Sequence, residues 1–192
     1  MRNLLHPSSL KSALLLGILL ATAPFVSAQA LLTAQRGSEI APFAQATLIS
    51  PDWGQTNNLG YTVGIDYTHF IRFAVQPSLE FRYNSATGIT VNERSYAGGF
   101  KLSTTIHGIH PYATILVGHG NLDLNYANGN YRGDNALIYS LGGGAEFNVT
   151  RQFLARFDLT DQYWDVDSYS LTPLTFGVGI AYRLGSHSSR VQ

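Results

Sequence analysis

Between residues 40 and 184, large apolar side chains recur at every second position, in segments of roughly ten residues. The last segment is the cleanest. Leu174, Phe176, Val178, Ile180, Tyr182 and Leu184 alternate with Thr175, Gly177, Gly179, Ala181 and Arg183. A period of two puts successive side chains on opposite faces of a strand, so this segment has one large apolar face and one small or polar face. The same alternation runs through residues 59–68, 73–84, 96–103, 137–148 and 153–160. Two weaker segments, 40–48 and 109–120, complete a set of eight, with Phe43 and Leu116 on the face that is otherwise small and polar. Strands of roughly ten residues are the length needed to cross a bilayer at a tilt. Pro42, Pro77, Pro111 and Pro173 fall inside or at the start of strands, which predicts strand ends, bulges or weak pairing there.

The face that points outward follows from composition. Charged residues make up 12% of the chain, against about a quarter in soluble domains. The small and polar face is too sparse in charge to be a solvated exterior. Gly, Ala, Ser and Thr suit the narrow interior of an eight-stranded barrel, which has room only for side chains. A soluble ligand-binding barrel would turn its apolar face inward instead. Connections sort by length as well. Tight turns are predicted around Phe70-Ile71, His107-Gly108 and Thr150-Arg151-Gln152, and longer polar loops over 50–58, 85–92, 122–135 and 165–171. Short turns at one end and long loops at the other belong to outer-membrane barrels. Tyr67, Phe70, Phe73, Tyr83, Phe147, Phe153, Tyr163, Trp164 and Tyr182 lie near strand ends, where two interfacial girdles would form. The expected fold is therefore all-β: an eight-stranded antiparallel up-and-down transmembrane β-barrel.

Residues 1–28 read as a cleaved secretory signal peptide. Arg2, His6 and Lys11 precede the apolar run 14–23, Pro24 breaks it, and Val26-Ser27-Ala28 gives a small-residue cleavage pattern. Residues 29–192 would then form the barrel and a short C-terminal tail. The whole chain has 12 basic and 12 acidic residues. Removing Arg2 and Lys11 leaves 12 − 2 = 10 basic residues against 12 acids, a net charge of −2. Such a chain is unsuited to nucleic acid, whose binding rests on neutralised phosphates. It contains no Cys, which excludes disulfides, thiolate metal sites, thiol nucleophiles and a lipid-anchored N-terminal Cys.

The inner face carries Glu80, Arg82, Lys101, Glu146, Arg156, Asp158 and Arg183, joined by Asp66. Isolated charges in a packed lumen are costly, so these should form an ion-pair network. Such a network could gate a narrow pore or plug the lumen, and the small interior favours the plug.

The segments Gly142-Gly143-Gly144-Ala145-Glu146-Phe147-Asn148-Val149-Thr150, Leu154-Ala155-Arg156-Phe157 and Gly177-Val178-Gly179-Ile180-Ala181-Tyr182-Arg183-Leu184 resemble the eight-stranded transmembrane domain of the OmpA/OmpX-like outer-membrane group. The resemblance covers roughly residues 40–184. It implies that Glu80, Lys101, Glu146 and Arg156 take the places of that family's interior ion-pair cluster. It also implies that the last strand, with Gly179, Tyr182 and Leu184, is an assembly signal for the barrel-assembly machinery. The sequence departs from the family in ending that strand on Leu rather than Phe and in continuing through residues 185–192.

Some barrels of this size are lipid A deacylases or acyltransferases, and the deacylases carry a His-x-Ser pair with a Glu nearby. The one His-x-Ser here, His187-Ser188-Ser189, lies in the tail, and His119 has no Ser two residues on. No catalytic residues are therefore expected, since a nucleophile needs its base within hydrogen-bond reach. His107 and His110 read as two exposed polar side chains rather than metal ligands. Asp161, Asp165 and Asp167 read as a solvated acidic loop rather than a cation site. The sequon at Asn148 falls at a predicted tight turn. The expectation is a monomeric bacterial outer-membrane protein without cofactor or metal, in contact with outer-membrane lipids. Its role would be structural or in surface interaction. A narrow ion or solute channel is the alternative, and a lipid-modifying enzyme the third reading.

Overall fold

The computed structural model describes residues 37–50, 57–88, 91–125, 131–166 and 169–184. The leader, the tail from 185 with its His187-Ser188 pair, and Asp167 lie outside these residues. The described residues form nine strands: β1 (Ser38–Ser50), β2 (Asn58–His69), β3 (Val75–Thr87), β4 (Val91–Thr104), β5 (Ile109–Asn125), β6 (Tyr131–Asn148), β7 (Phe153–Val166), β8 (Tyr169–Leu171) and β9 (Leu174–Tyr182). Each pairs antiparallel with its neighbours, and β9 bonds to both β7 and β1, so β1–β7 and β9 close into an eight-stranded ring. The short β8 lies beyond the ring, where it pairs with Trp164–Val166 at the end of β7. Pro173 lies at the break between β8 and β9, where a residue without an N–H cannot continue the ladder.

The alternation predicts the facing. On β9 the even-numbered Phe176, Val178 and Ile180 are exposed, while Thr175 and Ala181 are buried. On β1 the inward row includes Phe43, and on β5 it includes Leu116, both buried. An unbroken ring has no strand edge left to pair, which a lipid environment requires.

Two expectations need correction. Two of the four loops are shorter than the polar segments suggest. β5 and β6 remain paired out to Asn125↔Tyr131, and β3 and β4 out to Thr87↔Asn92. Beyond the apolar band the outward side chains turn polar while the inward ones stay buried and apolar, as with Asn121 and Leu122, so the pattern inverts while the backbone ladder continues. Asp161 and Asp165 accordingly lie within β7 rather than in a loop. The second correction is Trp164. It is not part of a lipid-facing girdle but faces inward and is fully buried, because it shares the parity of Leu154, Arg156 and Gln162.

The turn from β4 to β5 is the tightest constraint on the backbone. His107 and Gly108 both take positive φ, 51° and 84°, as a two-residue hairpin turn with a primed twist demands. Gly at the second position accepts this without steric cost.

Candidate functional site: the filled lumen

The inner face divides into layers along the barrel axis. Toward the tight-turn end lie Asp66 (β2), Glu80 and Arg82 (β3), Lys101 (β4), Glu146 (β6), and Arg156 and Asp158 (β7), all buried. Strand register brings them together. Asp66 pairs with Glu80 across β2–β3, and Glu146 with Arg156 across β6–β7. Two carboxylates side by side would repel, but two cations reach between them from across the lumen. Lys101 Nζ donates to Asp66 at 2.7 Å and to Glu146 at 2.5 Å. Arg156 donates through Nη1 to Asp66 at 2.8 Å and through Nη2 to Glu80 at 2.9 Å. Its Nη1 also lies 3.4 Å from Glu146, and its Nε 3.4 Å from Asp158. Arg82 closes the set, donating from Nε to Glu80 at 2.6 Å and lying 3.6 Å from Asp158.

Arg156 is the hub, and two aromatic rings confine it. Its guanidinium carbon lies 3.8 Å from the Phe43 ring centroid and 4.9 Å from that of Tyr112, within range of a cation–π attraction. Glycines on the inner face make room for these rings. A Cβ at Gly64 would stand 2.4 Å from Phe43 Cζ, and one at Gly144 would stand 2.6 Å from the Tyr112 hydroxyl. Tyr112 in turn donates to the Phe157 carbonyl at 3.2 Å. Sequence reasoning places Phe43 inside without assigning it this contact, and it does not single out Tyr112. Their signal is parity: both share the register of inward-facing residues.

Arg183 does not join this cluster. It lies four residues beyond Gly179, the register partner of Arg156, which is about 13 Å along a strand. There it pairs with Glu39 at 3.3 Å and donates to Asn148 Oδ1 at 2.9 Å. His110, anticipated as an exposed side chain, is half-buried in the same group, with Thr105 at 2.9 Å and Asn148 at 3.1 Å. Asn148 also donates to the Gly108 carbonyl, so the sequon asparagine binds the β4–β5 turn to the end of β6. Without Arg183 the inner cluster holds three cations, Arg82, Lys101 and Arg156. They face four acids, Asp66, Glu80, Glu146 and Asp158, giving 3 − 4 = −1 with all groups ionised.

Above the charges lies a belt of neutral polar side chains. Thr47 bonds Thr62 at 2.7 Å, Thr62 bonds Asn84 at 2.5 Å, and Asn84 bonds Ser95 at 3.2 Å. Gln162 bridges this belt to the next layer, donating to Thr175 at 3.3 Å and accepting from Trp164 Nε1 at 2.8 Å. The top layer is apolar: Val91, Leu122, Ala136, Ile138, Trp164 and Val166 pack together as a buried cluster. Within it Glu93 is 2% exposed, accepting a bond from Asn58 at 2.9 Å through one oxygen only. Sequence reasoning misses this layer because Val91, Leu122 and Val166 fall in segments that read as loop and Trp164 reads as interfacial. Among the described residues no three His, Asp or Glu side chains are grouped to hold a metal ion.

Closed barrels of similar shape are known. Neisserial surface protein A shares 12% identity, with 78% of this chain and 97% of that one aligned at a TM-score of 0.54. Ail of Yersinia pestis, crystallised with the heparin analogue sucrose octasulfate, shares 17% over 77% of this chain and 97% of its own, at 0.51. A major outer membrane protein from Thermus thermophilus shares 10% over 78% and 100%, also at 0.51. At these identities the likeness is one of fold. No curated protein matches the sequence. The sequence profile of the outer membrane protein β-barrel domain, however, matches residues 14–183, and with the closed ring and its outward apolar face the chain belongs to that family of the bacterial outer membrane.

Proposed function

We propose that this protein is a non-conducting, non-catalytic barrel with a structural role in the outer membrane, and that it presents its extracellular end for surface interaction. The observation that carries this reading is the filling of the lumen in three successive layers. The ion-pair cluster, the Thr–Asn–Gln belt and the Trp164 cluster each draw inward-facing residues from several strands. A charged layer alone could pass ions, and an apolar layer alone could part by dewetting. Stacked, they oppose both water and ions.

In this reading residues 1–28 direct export, the last strand engages the barrel-assembly machinery, and the protein works as a monomer. The test is conductance of the purified barrel in planar bilayers. Electrical silence is expected, and discrete ohmic openings would overturn the plugged reading. Lipid mass spectrometry of cells with and without the protein tests the non-catalytic part: the acylation pattern of the membrane lipids should not change. A heat-modifiability gel confirms that the protein used is a folded barrel.

A further inference from the structure

The lipid-facing surface is not uniform. On the side toward the β3–β4 and β5–β6 hairpins, across β2–β5, a cleft of about 620 Å³ opens between Val63, Phe81, Tyr83, Tyr96, Gly98 and Val117. Register explains it. Gly98 faces outward on β4 and is flanked by Phe81 on β3 and Val117 on β5. Where its neighbours carry large side chains it has none, and the Phe81 ring lies over the bare backbone, 2.7 Å from where a Cβ at Gly98 would stand, which leaves the cleft beside that ring. The next outward row toward the loops is Tyr83, Tyr96 and His119, with the Tyr96 and His119 rings 6.2 Å apart. One row further lies Arg94, whose side chain is 58% exposed. From the membrane core outward the surface therefore runs from an apolar cleft, through rings bearing hydroxyl and imidazole groups, to a guanidinium.

We propose that this surface binds one molecule of the phosphorylated glycolipid of the outer leaflet, lipopolysaccharide. An acyl chain would lie in the cleft beside the Phe81 ring and a phosphate would bond Arg94. Three features fit that ligand. The cleft is apolar and lies toward the long β5–β6 hairpin, the end that an outer-membrane barrel turns outward, so its occupant is a chain of the outer leaflet. Aromatic residues at headgroup depth suit the amphipathic boundary of the membrane. A guanidinium carries five donors in a planar fork that matches phosphate oxygens. Among the described residues Arg94 donates only through Nη2, to Asp123 at 2.6 Å, and that contact holds the side chain along the barrel wall while Nε and Nη1 remain for a phosphate.

The test uses the full barrel in phosphatidylcholine nanodiscs. Rough lipopolysaccharide is added, either intact or with its lipid A phosphates removed, and the glycolipid bound per barrel is measured by native mass spectrometry. Wild-type protein should retain one intact molecule and lose about tenfold in affinity for the dephosphorylated form, the effect of one charged hydrogen-bond site. Arg94→Ala should reproduce that loss with intact lipopolysaccharide. Gly98→Leu, which pushes the exposed Phe81 ring into the cleft and leaves the charge alone, should weaken both forms. Phe176→Leu, on the lipid face of β9, should change neither. Equal retention by wild type, Arg94→Ala and Gly98→Leu would overturn the proposal, as would indifference to the phosphates. Heat-modifiability gels establish that each variant is folded, and Arg94, being an exposed side chain, gives a variant in which folding is not at stake.

Discussion

Replacing Arg156 tests whether the luminal charges act as a unit. Its guanidinium is fully buried and reaches Asp66 at 2.8 Å, Glu80 at 2.9 Å, and Glu146 and Asp158 at 3.4 Å. Arg156→Ala leaves Arg82 and Lys101 against four acids, a formal 2 − 4 = −2 in a confined space. Removing one partner of a buried ion pair costs about 3–5 kcal/mol, because the remaining charge loses its compensation. The double mutant Glu80→Ala/Arg156→Ala should be less destabilised than the sum of its singles, with a coupling of roughly 1–3 kcal/mol. The coupling of Arg156 to Glu146 should be smaller. That contact is longer, 3.4 Å against 2.9 Å, while each acid keeps one other cation, Lys101 for Glu146 and Arg82 for Glu80. The assay is urea unfolding in lipid vesicles, followed by tryptophan fluorescence and by the gel-mobility shift of the folded barrel. Strict additivity of Glu80→Ala and Arg156→Ala would refute the cooperative network. Equal coupling to Glu80 and Glu146 would refute the ranking drawn from the distances.

On the lipid face, Val178→Arg should destabilise the inserted barrel by about 2–4 kcal/mol if it lies near the midplane. Gly179→Arg should instead obstruct the β1–β9 seam, where a Cβ would meet the Ala44 carbonyl at 2.0 Å; equal tolerance of both in vesicle folding would contradict the facing. Trp164→Ala empties the centre of the extracellular seal and should cost about 3–5 kcal/mol, read as a lowered urea midpoint. An unchanged midpoint would show that the cluster does not pack. Glu93 lies three residues beyond Tyr96, the register partner of the girdle residue Tyr83, about 10 Å further along β4, and so above the membrane. Burial raises its carboxyl from 4.5 to about 7, only partly offset by the Asn58 hydrogen bond. The folded state then holds this proton more tightly than the unfolded state, so stability should fall as pH rises from 4.5 to 7 and level off above. The full span is about 3 kcal/mol. Glu93→Gln should remove this component, and an identical slope in wild type and variant would show that Glu93 does not titrate there.

How far the fold can be read from the sequence depends on contrast between the two faces. Where lipid meets one face and the lumen the other, as on β9, the alternation is sharp and parity alone places nearly every side chain. It also places the charged residues, since Glu80, Lys101, Glu146 and Arg156 share the parity of the small residues beside them. Parity cannot supply height along the axis. Arg183 has the right parity and the wrong level, so it pairs with Glu39 rather than with the cluster. Nor does an aromatic residue at a strand end declare its face. Trp164 reads as interfacial because aromatic residues gather there, whereas its register with the inward row of β7 is what decides its place. Above the apolar band the contrast inverts, so Val91 and the ends of β5 and β6 read as loop although the ladder continues through them.

The luminal charges bear on register more than on net stability. A buried ion pair seldom outperforms well-packed apolar side chains of the same volume, and Phe43, Leu116 and Leu154 show that this interior accepts apolar groups. What an apolar filling lacks is discrimination between alignments. A one-residue slip of β7 would turn Arg156 and Asp158 into lipid and Phe157 into the lumen, and a cationic side chain on the lipid face costs about 2–4 kcal/mol near the midplane. A two-residue slip keeps the faces but moves Arg156 by about 7 Å, far enough to leave Asp66, Glu80 and Glu146 without their shared cation. Lys101 draws β4 to β2 and β6, and Arg156 draws β7 to β2, β3 and β6. Two cations thus tie together strands that are not neighbours in the ring, and only one alignment of all of them satisfies every pair.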